Sequence, residues 1–134
     1  ALGAACKLAA AELEARRAVL TELRDYLHDG LQRLFGAGLH LNGHPVERLP
    51  NTLNVSFAGH TGSEVLEMLD GVAASTGSAC HSGRHELSPV LKAMGVPEGV
   101  GLGAVRFSLG RTTTQEELDL VLELFRTKLL RRAA

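Results

Sequence analysis

The stretch Thr52-Leu53-Asn54-Val55-Ser56-Phe57 places apolar side chains at every second position, with polar ones between them. Because successive side chains of a strand point to opposite faces of its sheet, this pattern predicts a β-strand with one buried face. The stretch Val105-Arg106-Phe107-Ser108-Leu109 has the same alternation and predicts a second such strand. Shorter strands are predicted at residues 40–42 and 72–74.

Helical patterns surround these strands. Apolar residues recur at steps of three, four and seven from about Ala4 to Phe35, which predicts one long amphipathic helix. Two later helices are predicted from capping-box spacing, and a third from an N-cap followed by proline at the first helical position. Those signals are Thr61 with Glu64, Thr114 with Glu117, and Ser88 with Pro89. In the helix that begins at Pro89, Val90, Leu91 and Met94 are expected to face inward.

The predicted fold class is α+β: a small, mostly antiparallel sheet with helices packed on one face, preceded by a long N-terminal helix. We expect residues 1–134 to form a single domain. In it, residues 1–36 are the long connecting helix and residues 37–134 the small α+β domain.

Composition narrows the classes of function. The chain has 134 residues and a net charge of −1, so it lacks the basic footprint of a nucleic-acid or anionic-membrane binder. No apolar run is long enough to cross a bilayer. Two cysteines, Cys6 and Cys80, do not make a disulfide scaffold, so we expect a reducing, cytoplasmic setting. The start, residues 1–5, lacks signal-peptide features and resembles a helix interior, so we expect the chain to come from a longer protein.

Cys80 lies in a polar, glycine-containing loop between residues 75 and 87. Its small neighbours allow motion, and His81, Arg84 and His85 could supply the positive charge that favours a thiolate. From loop composition alone, a reactive nucleophile and a surface thiol remain equally open. A metal site using Cys80, His81, His85 and Glu86 is a weaker alternative, because Gly83 argues against a helix that would pair the two histidines.

Arg106 is the second candidate site residue. It lies on the strand face opposite Val105 and Phe107. An arginine in such a strand can hold a carboxylate through two parallel hydrogen bonds. A solvated strand arginine explains the same pattern, so the residue alone leaves both interpretations open.

Four ordered blocks together are more specific than any single motif. They are Pro50–Phe57, Ser75–Cys80, Ser88–Gly95 and Val105–Thr113. In order and approximate spacing they resemble the small-domain signature of cysteine desulfurases and selenocysteine lyases, and the resemblance covers nearly the whole chain. That family consists of homodimeric enzymes of the aspartate aminotransferase fold that use pyridoxal phosphate.

The resemblance implies a role for each candidate. Cys80 would be the mobile catalytic cysteine that takes sulfur from L-cysteine as a persulfide and leaves L-alanine. Arg106 would bind the substrate carboxylate. The persulfide would pass to an acceptor or scaffold protein, for example in iron–sulfur cluster assembly. The cofactor lysine of the family lies in a large domain, and Lys7, Lys92 and Lys128 lack its setting. The resemblance therefore implies no cofactor-binding residue and no metal in this chain, which we predict to be inactive alone.

Two alternatives remain. Cys80-His81-Ser82 and Ser88–Leu91 resemble the selenocysteine lyase branch, whereas residues 76–79 and 106–110 resemble the desulfurase branch. The other alternative is a non-catalytic fragment that binds or accepts sulfur at Cys80. Surfaces that would pack on the large domain or on a second subunit would be exposed in such a fragment, which favours self-association.

Overall fold

The computed structural model describes residues 1–76 and 87–129. Its centre is β2 (Thr52–Phe57), which pairs antiparallel with both β1 (Leu39–Leu41) and β3 (Ala104–Ser108). Within the described residues these strands form one sheet of order β1-β2-β3. The α+β prediction with an antiparallel sheet and a long first helix is confirmed.

Four of the five helices described follow the sequence signals. They are α1 (Leu2–Phe35), α2 (Gly62–Met68), α3 (Pro89–Ala93), α4 (Glu98–Gly101) and α5 (Gln115–Leu124), with a 3₁₀ turn at Gly36–Gly38 and a π-helical segment at Phe125–Leu129. Both predicted capping boxes are present, at Thr61 with Glu64 and at Thr114 with Glu117. Each satisfies two backbone N–H groups that the helix leaves unpaired.

The core lies on one face of the sheet, between the strands and helices α1, α2 and α5. Four aromatic rings meet there: Phe57 and Phe125 stack with centroids 5.0 Å apart, and Phe35 and Phe107 approach Phe125 edge-on. The other buried apolar residues of this cluster are Leu27, Leu31, Leu39, Leu53, Val55, Val65, Leu69, Val105, Leu109, Leu118 and Leu129. The alternation in β2 and β3 thus delivers every second side chain to this core.

Helix α1 has two unlike halves. From Leu20 onward it packs on the core, and Leu27 and Leu31 are fully buried. The predicted apolar stripe continues toward the N-terminus, but there it lies on the surface, where Leu13 is 61% exposed. Arg24 is a charged residue of this second half, and it is buried. It donates from Nη1 to the carbonyl of Leu49 at 3.0 Å, because the connection between β1 and β2 folds back over the helix.

Two sequence predictions are wrong, and one helix was not predicted. Residues 72–74 form no strand, and only the next residue, Ser75, pairs with Arg106 through an isolated bridge. The helix that was not predicted is α4, at Glu98–Gly101. In α3 only Leu91 is buried; Val90 and Met94 are 66% and 48% exposed, because a helix of five residues offers the core only one side.

Candidate active-site face

The second face of the sheet, called here the outer face, carries the polar residues of the strands. Its rows grade from buried to exposed: Ser56 and Ala104 are buried, Asn54 is half-buried, and Arg106 and Ser108 are exposed. The directly opposed pairs between β2 and β3 on this face are Ser56 with Ala104, Asn54 with Arg106, and Thr52 with Ser108. On β2 and β3 the outer face is therefore buried at one end and exposed at the other, while His40 of β1, opposite Ser56, is exposed.

Arg106 lies in the middle row of this face. Its backbone is fixed on both sides, because β3 pairs with β2 and the Arg106 N–H donates to the carbonyl of Ser75 at 2.7 Å. Within the described residues its guanidinium has no hydrogen bond and no ion pair with another side chain. An exposed guanidinium on a rigid strand can take a carboxylate through two parallel N–H···O bonds.

Asn42, Asn54 and Ser56 form a polar network next to Arg106. Asn42 Nδ2 donates to Asn54 Oδ1 at 2.7 Å and to Ser56 Oγ at 2.8 Å. The backbone N–H of Asn42 also donates to the carbonyl of Asn54 at 3.0 Å. Asn42 and Ser56 are both buried, so these bonds replace the water that the two side chains lose on folding.

Two arginines flank the network on the β1 side. Arg24 donates from Nε and Nη2 to Asp25 Oδ1 at 2.8 and 2.7 Å. Arg48 Nη2 lies 3.4 Å from the carbonyl oxygens of Asn42 and Thr52, and its Nε is buried without a partner. Burial, and then the positive charge of Arg24, lower the pKa of Arg48 from its ordinary value, while Asp25 raises it. Arg48 therefore lies beside the middle and open rows of the outer face, at Asn42 and Thr52.

Both ends of the segment that carries Cys80 are fixed in the fold. Before it, Ser75 pairs with Arg106 through two backbone hydrogen bonds. After it, the Leu87 side chain fills the space beside Gly101 of α4, where a Cβ would overlap it. Cys80 itself, with His81, Arg84, His85 and Glu86, lies outside the described residues, so its predicted role stays a prediction. The other cysteine, Cys6, is exposed on the first half of α1.

Neither a metal cluster nor a membrane span is found where the chain is described. Residues 1–76 and 87–129 contain no group of three or more histidine, cysteine, aspartate or glutamate side chains that could hold a metal ion. The metal alternative at residues 80–86 falls outside those ranges. None of the described helices is long and apolar enough to cross a bilayer.

Comparison with known proteins identifies the family. A family model described as aminotransferase class-V matches residues 1–121. The chain belongs to the class-V aminotransferase family. Among curated relatives, it is 47% identical over 125 residues to a cysteine desulfurase, IscS, of Methanosarcina thermophila, covering 92% of this chain and 30% of that protein. It is 42% identical over 127 residues to the selenocysteine lyase of Rattus norvegicus, covering 91% of this chain and 29% of that protein.

Solved structures agree on the fold. A NifS-like protein superposes with a TM-score of 0.75 at 33% identity, covering 95% of this chain and 31% of that one. A NifS-like protein of Rickettsia africae superposes with a TM-score of 0.68 at 24% identity, covering 84% and 29%. This family member therefore spans only about 30% of the length of the relatives it matches. Its resemblance to cysteine desulfurases and selenocysteine lyases is confirmed at the level of family.

The structure adds Asn42, Asn54 and Ser56 to the neighbourhood of Arg106, and sequence reasoning assigned none of them to the site. Alternation in β2 does place Asn54 and Ser56 on the polar face, and that signal was available. Asn42 could not be found this way, because it follows β1 and its side-chain contacts depend on strand register.

Proposed function

We propose that this chain is the C-terminal part of a pyridoxal phosphate-dependent cysteine desulfurase. The complete enzyme would convert L-cysteine to L-alanine and leave the sulfur on Cys80. The observation that carries the proposal is the backbone bridge between Ser75 and Arg106. It ties the segment leading to Cys80 to the strand whose exposed arginine suits a substrate carboxylate. Cys80 follows Ser75 by five residues, so a fully extended chain would reach about 18 Å from it.

The chemistry assigned to Cys80 is a sulfur transfer between two thiols. Its thiolate attacks the sulfur of the substrate, a new sulfur–sulfur bond forms, and the carbon–sulfur bond of the substrate breaks. Together, L-cysteine and the Cys80 thiol become L-alanine and the Cys80 persulfide, so no external oxidant is consumed. The step needs a soft, ionisable nucleophile, for which cysteine is the suitable residue. A reducing cytoplasm would keep that thiol available.

Arg106 would hold the substrate in the correct orientation. Its guanidinium takes the carboxylate through two hydrogen bonds, which fixes the amino acid on the outer face. Orientation of this kind lowers the entropy that the reacting atoms must lose at the transition state. The fixed backbone of Arg106, paired on both edges, supports that role.

The lysines of this chain do not suit the cofactor. Lys7, Lys92 and Lys128 are all exposed, on α1, on α3 and on the segment after α5. A lysine that carries such a cofactor is activated by desolvation or by a neighbouring cation, and these three side chains lie in water. We therefore assign pyridoxal phosphate binding to a large domain outside this chain, and we expect the isolated chain not to turn over cysteine.

The first half of α1 supports the presence of such a further domain. It exposes four large apolar side chains along one helix: Leu2, Leu8, Leu13 and Val19. Apolar stripes of this kind are normally covered by another part of the protein or by a second subunit. We propose that α1 joins this chain to the large domain and that the complete enzyme is a homodimer. An acceptor or scaffold protein, such as one that assembles iron–sulfur clusters, would then receive the sulfur.

The test uses the complete enzyme that contains this chain, with Cys80→Ser and a matched control, Cys6→Ser. We expect Cys80→Ser to abolish alanine production from cysteine, and mass measurement to find no added sulfur on the protein. Cys6→Ser should leave both unchanged, because Cys6 lies on the first half of α1 and not on the segment between Ser75 and Leu87. Normal turnover by Cys80→Ser would refute the proposal.

A second candidate is selenocysteine lyase, favoured by the 42% identity to the rat enzyme of that name. The two activities are separated by comparing kcat/KM for L-cysteine and L-selenocysteine in the same complete enzyme. A cysteine desulfurase should release alanine from both substrates. A lyase specific for selenium should leave L-cysteine unreacted.

The isolated chain tests the third candidate, a fragment that only accepts sulfur. Incubation with a persulfide donor should add sulfur at Cys80 without any alanine production. If no donor transfers sulfur to Cys80, an accepting role for the fragment is excluded. If the isolated chain mixed with pyridoxal phosphate turns over cysteine, the assignment of cofactor binding to another domain is wrong.

A further inference from the structure

The amide of Asn54 is oriented by its neighbour. Its Oδ1 accepts from Asn42 Nδ2, and the second hydrogen of that Nδ2 goes to Ser56 Oγ. A carboxamide has one accepting and one donating end, so Asn54 Nδ2 is left as a donor. In residues 1–76 and 87–129 nothing accepts a hydrogen bond from it.

The free donor lies beside a second one. Asn54 and Arg106 are directly opposed across β2 and β3, on the same outer face. Opposed residues of an antiparallel pair have Cβ atoms about 5 Å apart. The Asn54 amide and the Arg106 guanidinium can therefore reach the two ends of one small anionic group. Both side chains carry only donors toward it, which suits a carboxylate and opposes a cation.

Burial of the network indicates that this orientation matters. Ser56 is fully buried and Asn42 nearly so, while Ala104, opposite Ser56 on the same face, is apolar. A buried apolar residue therefore fits in this row, so burial alone does not require a polar residue at Ser56. A buried polar group that loses its hydrogen-bond partner costs free energy, so the bonds to Asn42 hold the Asn54 amide in the orientation seen here. If the Asn54 amide were turned over, its Nδ2 would face Asn42 Nδ2, and two donors would oppose each other.

We propose that Asn54 is a second residue that binds the substrate carboxylate, donating from Nδ2 while Arg106 supplies the guanidinium. Asn42, anchored on Ser56, is the positioning residue that keeps the donating end of Asn54 available. The inference rests on the proposed function, since it takes the substrate to be an α-amino acid held at Arg106. It makes the outer face selective for amino acids over amines that lack a carboxylate.

Kinetics of the complete enzyme test this with two Asn54 variants. Asn54→Ala removes one hydrogen bond to a charged group, which should raise KM for L-cysteine about tenfold. Asn54→Asp keeps the acceptor for Asn42 but turns the donating end into a negative oxygen, so KM should rise about a hundredfold. In both, kcat should change less than KM. Thr52→Ala, on the same face of β2, is the matched control and should leave both parameters unchanged.

A pair of inhibitors separates carboxylate binding from structural damage. L-alanine and ethylamine differ only in the carboxylate, so the ratio of their inhibition constants measures its recognition. Asn54→Ala and Arg106→Ala should each bring this ratio closer to one, and Asn42→Ala should do so to a smaller degree. Damage to the fold would weaken both inhibitors equally and leave the ratio unchanged, which would overturn the role of Asn54.

Arg106→Ala distinguishes the two levels of the proposal. If Arg106→Ala lowers the ratio and Asn54→Ala does not, the inference about Asn54 is wrong and the carboxylate role of Arg106 stands. If Arg106→Ala itself leaves the ratio unchanged, the substrate carboxylate is bound elsewhere. In that case the proposed role of Arg106 and the inference about Asn54 are both wrong.

Discussion

The two faces of the sheet carry different kinds of side chain, although the same strands supply both: apolar residues lie on one face and polar residues on the other. The core face receives Val55, Phe57 and Phe107, which are buried under three helices. The outer face receives Asn54, Ser56 and Arg106, whose polar groups are hydrogen-bonded to Asn42 or open to solvent. The free energy of unfolding should therefore depend chiefly on the core face, and substrate recognition on the outer face. The same strands carry the residues of both faces.

The largest expected difference between the faces is in stability. Phe125→Ala removes the ring that stacks on Phe57 and meets Phe35 and Phe107, so it should lower the free energy of unfolding by about 3–5 kcal/mol. Arg106→Ala should change it by less than about 0.5 kcal/mol, because its exposed side chain has no partner among the described residues. Urea denaturation of the 134-residue chain measures both. Equal losses would contradict the division between the faces.

A glycine at the start of β3 tests the link between the faces. A Cβ at Gly103 would overlap the Phe57 carbonyl oxygen and lie 2.8 Å from the carbonyl oxygen of His60. Gly103→Ala should push β3 away from β2 and lower the free energy of unfolding by about 1–3 kcal/mol. Gly99→Ala is the matched control, since a Cβ there has no atom within 4 Å. The view that strand spacing is tight would be wrong if thermal denaturation showed the two variants to be alike.

Two serines on the outer face test its gradient from buried to exposed. Ser56→Ala removes the buried acceptor of Asn42 and should lower the free energy of unfolding by about 1 kcal/mol. Ser108→Ala, at the open end of the same face, should leave stability within about 0.5 kcal/mol of the parent. Chemical denaturation of both variants provides the comparison. A larger loss for Ser108→Ala would reverse the gradient.

The smallest expected effect lies at the margin of the core, where Tyr26 of α1 donates to Asp119 of α5. This hydrogen bond, followed by burial and the charge of Asp119, raises the pKa of Tyr26 above 10.0. Because the folded-state pKa is the higher one, the bond contributes fully below pH 10 and its contribution is lost as pH rises through the folded pKa. Tyr26→Phe should flatten this alkaline loss in denaturation measured at several pH values. An unchanged profile would mean that the bond contributes nothing.

Much of the fold followed from local signals. The capping boxes at Thr61 and Thr114 fixed two helix starts, since each is a contact between residues three apart. The strand prediction at residues 72–74 failed because the pairing described here is an isolated bridge, between Ser75 and Arg106, 31 positions further along the chain. The exposure of Val90, Met94 and Leu13 also depends on what packs against each helix, and a periodic pattern does not carry that information.

Part of the candidate site could likewise be predicted from the sequence, and part could not. Alternation alone put Arg106 on a polar face, and the ordered motifs around Cys80 carried the family resemblance. The neighbours of Arg106 on the outer face came only from tertiary structure. Antiparallel pairing sets Asn54 against it from 52 positions away, and the register of β1 brings Asn42 to Asn54 and Ser56.

By itself, the sequence determined the long first helix, the two central strands with the face of each of their residues, and the family resemblance. These depend on side-chain chemistry and on spacings within a few residues. Only the tertiary structure decided which polar side chains meet on the outer face and which half of α1 is buried. The physical reason is that strand register and helix packing are set by the combined burial of the whole core, to which residues far apart in the sequence contribute together.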